Sequence, residues 1–290
     1  MLAIFKREFK SYFQNVIGWL FVAALLAVYG LYFYVYNLKN GYPYISYDLK
    51  GIGFIMMIAV PILTMRSLSD EKKTKTDQLM LTSPVSVGKI VAGKYFAMAA
   101  VYTIDIALFA LSPLVLSIYG KVALSEAYVA LFGYWLYGLS CIAVGLFISS
   151  ISESVIISAI LTFTALFLSY MMQSITGLIS SSGNLLTKVL NCFDLYTPFE
   201  NFVSGCFSVT SAAYYVTVIL LLCFLTTQSI QKRRWAFSKK MIGTGAFSAG
   251  MIVVMCAICV VVNLVVTALP AKYTCLLYTS PSPRDYAASR

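Results

Sequence analysis

Long stretches without charged residues alternate with short polar segments along the whole chain. Residues 11–38, 127–152 and 154–187, for example, contain no Asp, Glu, Lys or Arg. A helix needs about 20 predominantly apolar residues to cross the hydrocarbon core of a bilayer, and these stretches are long enough. The pattern predicts seven spans, near residues 16–36, 45–65, 95–118, 127–152, 154–187, 213–230 and 245–269. The expected fold is therefore an all-α polytopic membrane protein.

The composition supports this assignment and excludes several classes of enzyme. Of the 290 residues, 60% are hydrophobic and 11% are charged, whereas soluble domains carry about 25% charged residues. The absence of histidine excludes Ser–His–Asp and Cys–His catalysis and any histidine-based metal site. The spans also lack the pair of carboxylates that an aspartic protease needs. We expect no catalytic residue, no metal site and no cofactor bound by this chain.

The basic residues are distributed unequally between the two sides of the membrane. With a cytoplasmic N-terminus, the inner loops carry fourteen Lys and Arg residues and the outer loops carry five. Basic loops are retained on the cytoplasmic side, so this orientation is predicted. The loops also explain most of the net charge of +10, so the expected partner is the lipid bilayer and not nucleic acid. At the outer end of the second span, Asp48 and Lys50 are expected to reach water.

The first fourteen residues place aromatic side chains at helical spacing among basic ones. Phe5, Phe9 and Phe13 recur every four residues beside Lys6 and other basic residues. This amphipathic pattern is typical of a helix that lies in the membrane interface. Met1–Gln14 is therefore predicted to form an interfacial helix before the first span, and a frayed tail is the alternative.

The longest polar cytoplasmic stretch covers residues 66–94. Ser69 is placed to cap a helix with two acidic residues in its first turn, and Pro84 is expected to end that helix. Such a helix would expose Leu79 and Leu81 to water, which indicates a docking surface for another protein. A solvated connecting helix is the alternative interpretation.

The same stretch contains Gly-x4-Gly-Lys at residues 88–94, a pattern that phosphate-binding loops share. Tyr95 stands where a Ser or Thr would contact magnesium, and a membrane span follows where a soluble strand–loop–helix unit would be needed. Neither nucleotide binding nor ATP hydrolysis by this chain is expected.

Asp105 is the one carboxylate well inside a predicted span. An ionisable residue within the membrane is costly and suggests a function. It could be a protonatable or substrate-contacting group in a pathway, or a neutral acid bonded to a neighbouring helix, and both interpretations are open.

The outer segment from residue 177 to residue 213 is too long for a turn and mixes aromatic with polar residues. Non-helical backbone at membrane depth requires cover by protein or by a watery cavity. We therefore expect a re-entrant pair of short helices, with a plain extracellular loop as the alternative. A disulfide between Cys192 and Cys206, which share this segment, is left open.

An ordered set of motifs resembles the signature of ABC-2 type permeases. The motifs are Pro61–Arg66, Asp70-Glu71, Thr76–Val85, Ile90–Lys94, Phe199–Gly205 and Gln228–Trp235. With the N-terminal helix, the resemblance covers residues 1–235. Lys75 departs from the pattern, because many members have glycine there.

The resemblance implies a six-helix bundle in which the N-terminal helix is an elbow and residues 69–84 form a coupling helix. Two such permeases, identical or homologous, would assemble with two ABC ATPase subunits, and those subunits would bind ATP and magnesium. Phe199 and Glu200 would belong to an outer gate. The residues implied to contact the ATPase and transmit its motion are Arg66, Glu71, Thr76, Leu79, Leu81, Ser83 and Pro84.

The end of the chain resembles something further. Residues 236–273 are similar to the start of the single-anchor partner subunit of gliding-motility-type ABC systems, and residues 275–290 resemble translated sequencing adapter. The expected organisation is a permease domain over 1–235, an extra anchor over 236–273, and a non-native tail.

The function that follows from the resemblance is that of the membrane subunit of an ABC exporter in the bacterial plasma membrane. An ion-coupled secondary transporter that uses Asp105 is one alternative. A non-transporting membrane scaffold of a surface machinery is the other.

Overall fold

The computed structural model describes residues 1–76, 85–119, 122–179, 193–235, 241–268 and 275–277, and these are almost entirely helical. A π-helical turn, Tyr34–Lys39, continues α2. The described helices are α1 (Leu2–Gln14), α2 (Val16–Phe33), α3 (Ser46–Gly53), α4 (Met56–Thr64), α5 (Ser69–Lys73), α6 (Val87–Phe109), α7 (Ser112–Tyr119), α8 (Leu124–Ile151), α9 (Val155–Ile179), α10 (Thr197–Val203), α11 (Val209–Trp235) and α12 (Met241–Ala268).

The number of apolar helices confirms the predicted fold class. Five stretches of the described residues are long and apolar enough to cross a membrane, namely Val16–Lys39, Val87–Tyr119, Leu124–Ile151, Val155–Met172 and Val209–Lys232. A sixth span results when the bent segment made of α3 and α4, with an angle of 57°, is taken as one crossing. The protein is thus an all-α polytopic membrane protein. The seventh span stays a prediction, although α12 is helical over 28 residues.

Two of the spans are interrupted, and proline accounts for one break. The third span consists of α6 and α7, which are separated by a turn at residues 110–111. Pro113 follows that turn in the first turn of α7, where its missing N–H needs no helical partner. The predicted single helix over 95–118 is therefore two helices in sequence.

Helix α8 lies at the centre of the bundle. Of its apolar window, 72% is buried inside the protein, against 22–39% in the other four spanning stretches. It packs against α4, α6, α9, α10 and α11. A helix that contacts neighbours on all sides needs an apolar surface all round, which agrees with its near-continuous apolar sequence.

Small residues allow the neighbours of α8 to approach closely. Gly133, Gly138 and Gly145 face α10, α6 and α4 respectively, and a Cβ added to any of them would overlap a side chain of the facing helix. Helices in membranes associate largely through such close packing, because lipid tails are as apolar as leucine.

The end of the bundle opposite α1 and α5 holds the short helix α10 and a small sheet. Asp194 accepts hydrogen bonds from the backbone N–H groups of Tyr196 (2.9 Å) and Thr197 (3.0 Å) and so orders the entry to α10. After α10, strand β1 (Cys206–Ser208) pairs antiparallel with β2 (Cys275–Leu277). Of the predicted re-entrant pair, α10 is one helix, while residues 180–192, including Cys192, lie outside the described residues. Strand β2 was not expected, since it lies in the segment predicted to be a non-native tail.

Two local expectations are wrong. The helix that begins at Ser69 ends at Lys73 and is followed by a turn at residues 74–76, and its N-cap position is Leu68, while residues 77–84, including Pro84, lie outside the described residues. Asp48 does not reach water, because it is fully buried and accepts a hydrogen bond from the Asn37 amide at the end of the first span. The hydrogen bond from Asn37, which belongs to another segment, reduces the free-energy cost of burying the Asp48 carboxylate.

The packing of α8 predicts that a single methyl group at Gly138 destabilises the bundle. The ring facing Gly138 belongs to Tyr102, which is fully buried and donates a hydrogen bond to the Tyr134 carbonyl (2.7 Å), so it cannot move aside freely. Gly138→Ala should cost about 1–3 kcal/mol through overpacking. Thermal unfolding of the detergent-purified protein measures the effect.

Gly30→Ala is the matched control, because nothing lies within 4 Å of a Cβ at that position. Equal melting temperatures for the two variants would contradict the close packing of α6 on α8.

Candidate functional site

A buried lysine joins three segments at the end of the bundle that carries α1 and α5. Lys94, on α6, is only 2% exposed. Its Nζ donates to the Ser67 carbonyl (2.9 Å) and to Oε1 of Glu71 (2.7 Å), and it forms an ion pair with Oε1 of Glu8 (3.3 Å). We call Lys94, Glu8, Glu71 and the Ser67 carbonyl the Lys94 cluster. It brings together α1, the segment containing α5, and α6.

The residue before Lys94 lets α1 come close enough for this cluster. A Cβ on Gly93 would lie 3.0 Å from Cγ2 and 3.2 Å from Cβ of Ile4. Contacts that short are tighter than side chains ordinarily accept, so a larger residue would push α1 away from α6. The Gly-Lys pair within the apparent phosphate-binding pattern thus serves helix packing and ion pairing.

The rest of α1 fixes the charges around the cluster. The Arg7 guanidinium donates to Oε1 of Glu8 (2.7 Å), and this hydrogen bond raises the pKa of Arg7. Tyr12 donates to the Leu63 carbonyl (3.4 Å), and burial together with the nearby charge of Glu8 raises the pKa of its phenol. Arg7 therefore stays cationic and Tyr12 neutral, and two carboxylates face two cations.

A second set of hydrogen bonds ties α5 to the turn between α8 and α9. The Ser149 hydroxyl accepts from the backbone N–H groups of Leu68 and Ser69, each at 3.1 Å. The Lys72 ammonium donates to the carbonyls of Ser150 and Ser152. These bonds satisfy donors at the start of α5 and acceptors at the end of α8, as helix ends require.

A polar cleft of about 600 Å³ opens between α1 and α5. Three of the seven predicted coupling residues line it, namely Arg66, Glu71 and Thr76. Arg66 lies 3.8 Å from Asp70 in an exposed pair, which adds little stability and leaves its side chain available to a partner. The other four predicted residues, Leu79, Leu81, Ser83 and Pro84, lie outside the described residues.

The turn after α5 gives a reason for the glycine that similar proteins have at the position of Lys75. Lys75 has a φ of +58°, in the left-handed region. Glycine adopts this conformation without the steric cost that other residues incur, which gives a physical reason for glycine at this position in similar proteins. The turn forms here with lysine in the same conformation.

The two predicted outer-gate residues lie at the opposite end of the bundle. Phe199 of α10 is fully buried and stacks on Tyr137 of α8 at 5.6 Å between ring centroids. Glu200 follows it in α10 and is half-buried. Because Tyr137 and Ser149 are twelve residues apart on α8, about 18 Å separates this aromatic contact from the Ser149 hydrogen bonds. The structure does not bring the two sets of predicted residues together.

Asp105 lies inside the bundle without a hydrogen bond. It is fully buried, and among the residues that the structure describes neither of its carboxylate oxygens has a hydrogen-bond partner. The interpretation as an acid bonded to a neighbouring helix therefore has no support in the described contacts. A buried polar group without a partner is expensive, so this position is the least satisfied in the core of the bundle.

The described residues form no candidate metal site. Within the described part of the chain, no three His, Cys, Asp or Glu side chains come together in a group that could hold a metal ion. The expectation that the chain binds no cofactor stays a prediction.

The family to which the chain belongs follows from comparison with known proteins. A family model described as an ABC-2 family transporter protein matches residues 28–266. The chain belongs to the ABC-2 transporter family. No curated protein and no solved structure matches it.

Family membership gives the geometry a context. An ABC-2 permease sits in a membrane with several spans, as the helices here require, and the family implies an ABC ATPase partner. The match continues past residue 235 to residue 266, so the predicted domain boundary between residues 235 and 236 stays a prediction.

Five residues of this site are not predicted from the sequence, namely Glu8, Ser67, Lys72, Lys94 and Ser149. Lys94 belongs to the family motif and to the apparent phosphate-binding pattern, and neither pattern indicates a buried ion pair. A lysine directly beside an apolar span, preceded by glycine, was the available signal for Lys94. Nothing local identified Ser149, because its partners are about 80 residues away in the chain.

Removing the charge of Lys94 should destabilise this ABC-2 permease strongly. Lys94→Met leaves Glu8 and Glu71 facing each other without their shared cation, and breaking a buried pair in this way costs about 3 kcal/mol. Thermal unfolding in detergent should show a clear drop. Lys89→Met, on the exposed face one turn earlier in α6, is the control and should have little effect.

A second substitution tests the pairing itself. Glu71→Gln should destabilise the wild-type protein but restore part of the stability of Lys94→Met, since it removes one of the uncompensated charges. Simple additivity of the two substitutions would contradict the ion-pair assignment.

Asp105→Leu should raise the melting temperature, because it replaces an unsatisfied buried carboxyl with an apolar side chain of similar size. Leaving such a group unpaired costs about 1–3 kcal/mol, and apolar replacement recovers part of that. Asp194→Leu is the comparison, since that carboxylate caps α10 and its loss should destabilise. A lowered melting temperature for Asp105→Leu would show that the carboxyl has a partner.

Proposed function

We propose that this chain is the membrane subunit of an ABC exporter in the bacterial plasma membrane, with its N-terminus in the cytoplasm. A separate ABC ATPase would bind ATP and magnesium and dock at the cleft between α1 and α5 and on the segment that follows α5, which contains Leu79 and Leu81. The observation that carries the proposal is the Lys94 cluster. Through Glu8 and Glu71, it attaches both sides of the cleft, α1 and α5, to the spanning helix α6.

The contacts provide a route by which motion at the cleft would reach the membrane. A displacement of α5 would act on α6 through Glu71 and Lys94, and on the turn between α8 and α9 through Ser149. Buried ionic and hydrogen-bonded contacts resist stretching, so the linked helices would move together.

The two central helices would carry that motion to the outer side. Tyr95 of α6 donates to the Leu139 carbonyl of α8 at 3.2 Å, and Tyr102 donates to that of Tyr134 at 2.7 Å. Tyr134 and Tyr137 then contact Phe199 of the proposed outer gate. The two states between which this gate would switch must differ in such contacts.

The proposed assembly contains a second permease, identical or homologous, which the family resemblance implies. We also propose that residues 236–273 begin the single-anchor subunit of a gliding-motility-type system, on the strength of their sequence similarity alone. Neither proposal affects the coupling site, because the cleft is built by one copy of residues 1–76 and 85–119.

Association with the ATPase and ATP-dependent transport test the proposal together. The permease would be co-expressed with candidate ABC ATPases from the same genome, purified, and reconstituted for ATP hydrolysis measurements. Leu79→Asp combined with Leu81→Asp should abolish co-purification by placing charges on the docking surface. Leu124→Asp, at the opposite end of the bundle, makes the same chemical change and should leave association intact.

The alternatives give different results in the same preparation. An ion-coupled secondary transporter would transport without any ATPase and lose activity in Asp105→Asn. A scaffold would bind its partner without stimulating ATP hydrolysis. If the Leu79 and Leu81 double variant still retains the ATPase, docking at this loop is wrong.

A further inference from the structure

An apolar groove of about 800 Å³ runs along the outside of the bundle where α1, α6 and α8 meet. Leu2 and Phe5 of α1 form one end of it. Phe96, Ala100 and Ala107 of α6 and Trp135 of α8 continue it along the spans. It is separate from the polar cleft, which lies between α1 and α5.

The groove offers no polar group to a ligand or to water. The Trp135 indole N–H donates to the Thr103 hydroxyl (3.1 Å), which itself donates to the Ala99 carbonyl (2.7 Å). The Tyr95 hydroxyl donates its hydrogen bond to the Leu139 carbonyl. Cavities without free polar partners stay dry, so the occupant must be hydrocarbon.

The length of the groove agrees with a single hydrocarbon chain. Tyr95 and Ala107 are twelve positions apart and therefore about 18 Å apart along α6, and half of a hydrocarbon core is about 15 Å. Alanines at 99, 100 and 107 leave the space that a larger side chain would fill. The groove thus extends from the level of α1 towards the middle of the membrane.

Basic residues at the α1 end of the groove favour a lipid with an anionic head group. Lys6 is exposed and lies one turn after Leu2 on the same side of α1, and Lys10 follows one turn later. Arg7, by contrast, is occupied by Glu8. Basic residues at the membrane surface attract anionic lipid head groups.

We propose that this groove binds one acyl chain of an anionic phospholipid from the leaflet on the α1 side of the bundle, with Lys6 beside its phosphate. The bound chain fills the space between α1 and α6, which Lys94 and Gly93 hold together on the other side. The site is independent of the transported substrate and of the proposed function, since it needs only a chain placed in a bilayer.

Quenching of Trp135 fluorescence by brominated lipids tests the proposal. Trp19→Phe and Trp235→Phe leave Trp135 as the single tryptophan of the full chain. The protein would be reconstituted in phosphatidylcholine vesicles containing increasing fractions of brominated phosphatidylglycerol or brominated phosphatidylcholine. Half-maximal quenching should need a several-fold lower fraction of the anionic lipid.

Three variants separate a built site from contact with bulk lipid. Ala100→Phe fills the groove and should make the two quenching curves coincide, and Ala107→Phe should do the same if Ala100→Phe does not fold. Ala24→Phe, on the exposed face of α2, should leave the difference unchanged. Lys6→Gln, a surface change, should reduce the preference for the anionic lipid about five-fold.

Two results would overturn the proposal. Equal quenching by both lipids in proportion to their fraction would mean contact with bulk lipid only. Absence of quenching by either lipid would mean that protein covers the groove. In that second case, disulfide-linked dimers of Phe96→Cys would identify a second copy of this chain as the occupant.

Discussion

The burial of one ammonium group constrains the end of this ABC-2 permease at which α1 and α5 lie. Lys94 is placed in the first half of α6 where almost no solvent reaches it, so its charge must be balanced within the protein. Glu8 and Glu71 come from segments on either side of α2, α3 and α4 in the chain, and both must be in place for the balance to hold. Helices α1, α5 and α6 are consequently parts of one arrangement.

A second constraint is that the membrane interior provides no hydrogen bonds and little hydrophobic force between helices. Helix α8 is held in the bundle in two ways. Its glycines allow close contact with neighbouring helices, and its carbonyls accept hydrogen bonds from buried tyrosines of α6. Its Ser149 end holds α5, and its Tyr137 region holds Phe199. One helix therefore connects the polar cleft to the aromatic contact at Phe199. Among the described residues, Asp105 is the carboxylate of which this packing leaves both oxygens without a hydrogen-bond partner.

Much of the fold could be predicted because hydropathy is local. The positions of the spans and the helix over Met1–Gln14 both follow from short stretches of sequence. The site was less predictable. Three coupling residues do line one cleft, but the short length of α5 depends on the left-handed turn at Lys75, and the burial of Asp48 depends on Asn37 from another span. Neither dependence is visible in local periodicity.

The sequence by itself determined that the chain crosses a membrane several times and belongs to the ABC-2 family. Apolar length and an ordered set of motifs are properties of the chain before it folds. Only the tertiary structure decided what Gly93 and Lys94 do, because the same two residues suit a phosphate loop or a buried ion pair. That choice rests on α1 and α5 meeting at this point, where low solvent access makes an unpaired ammonium too costly.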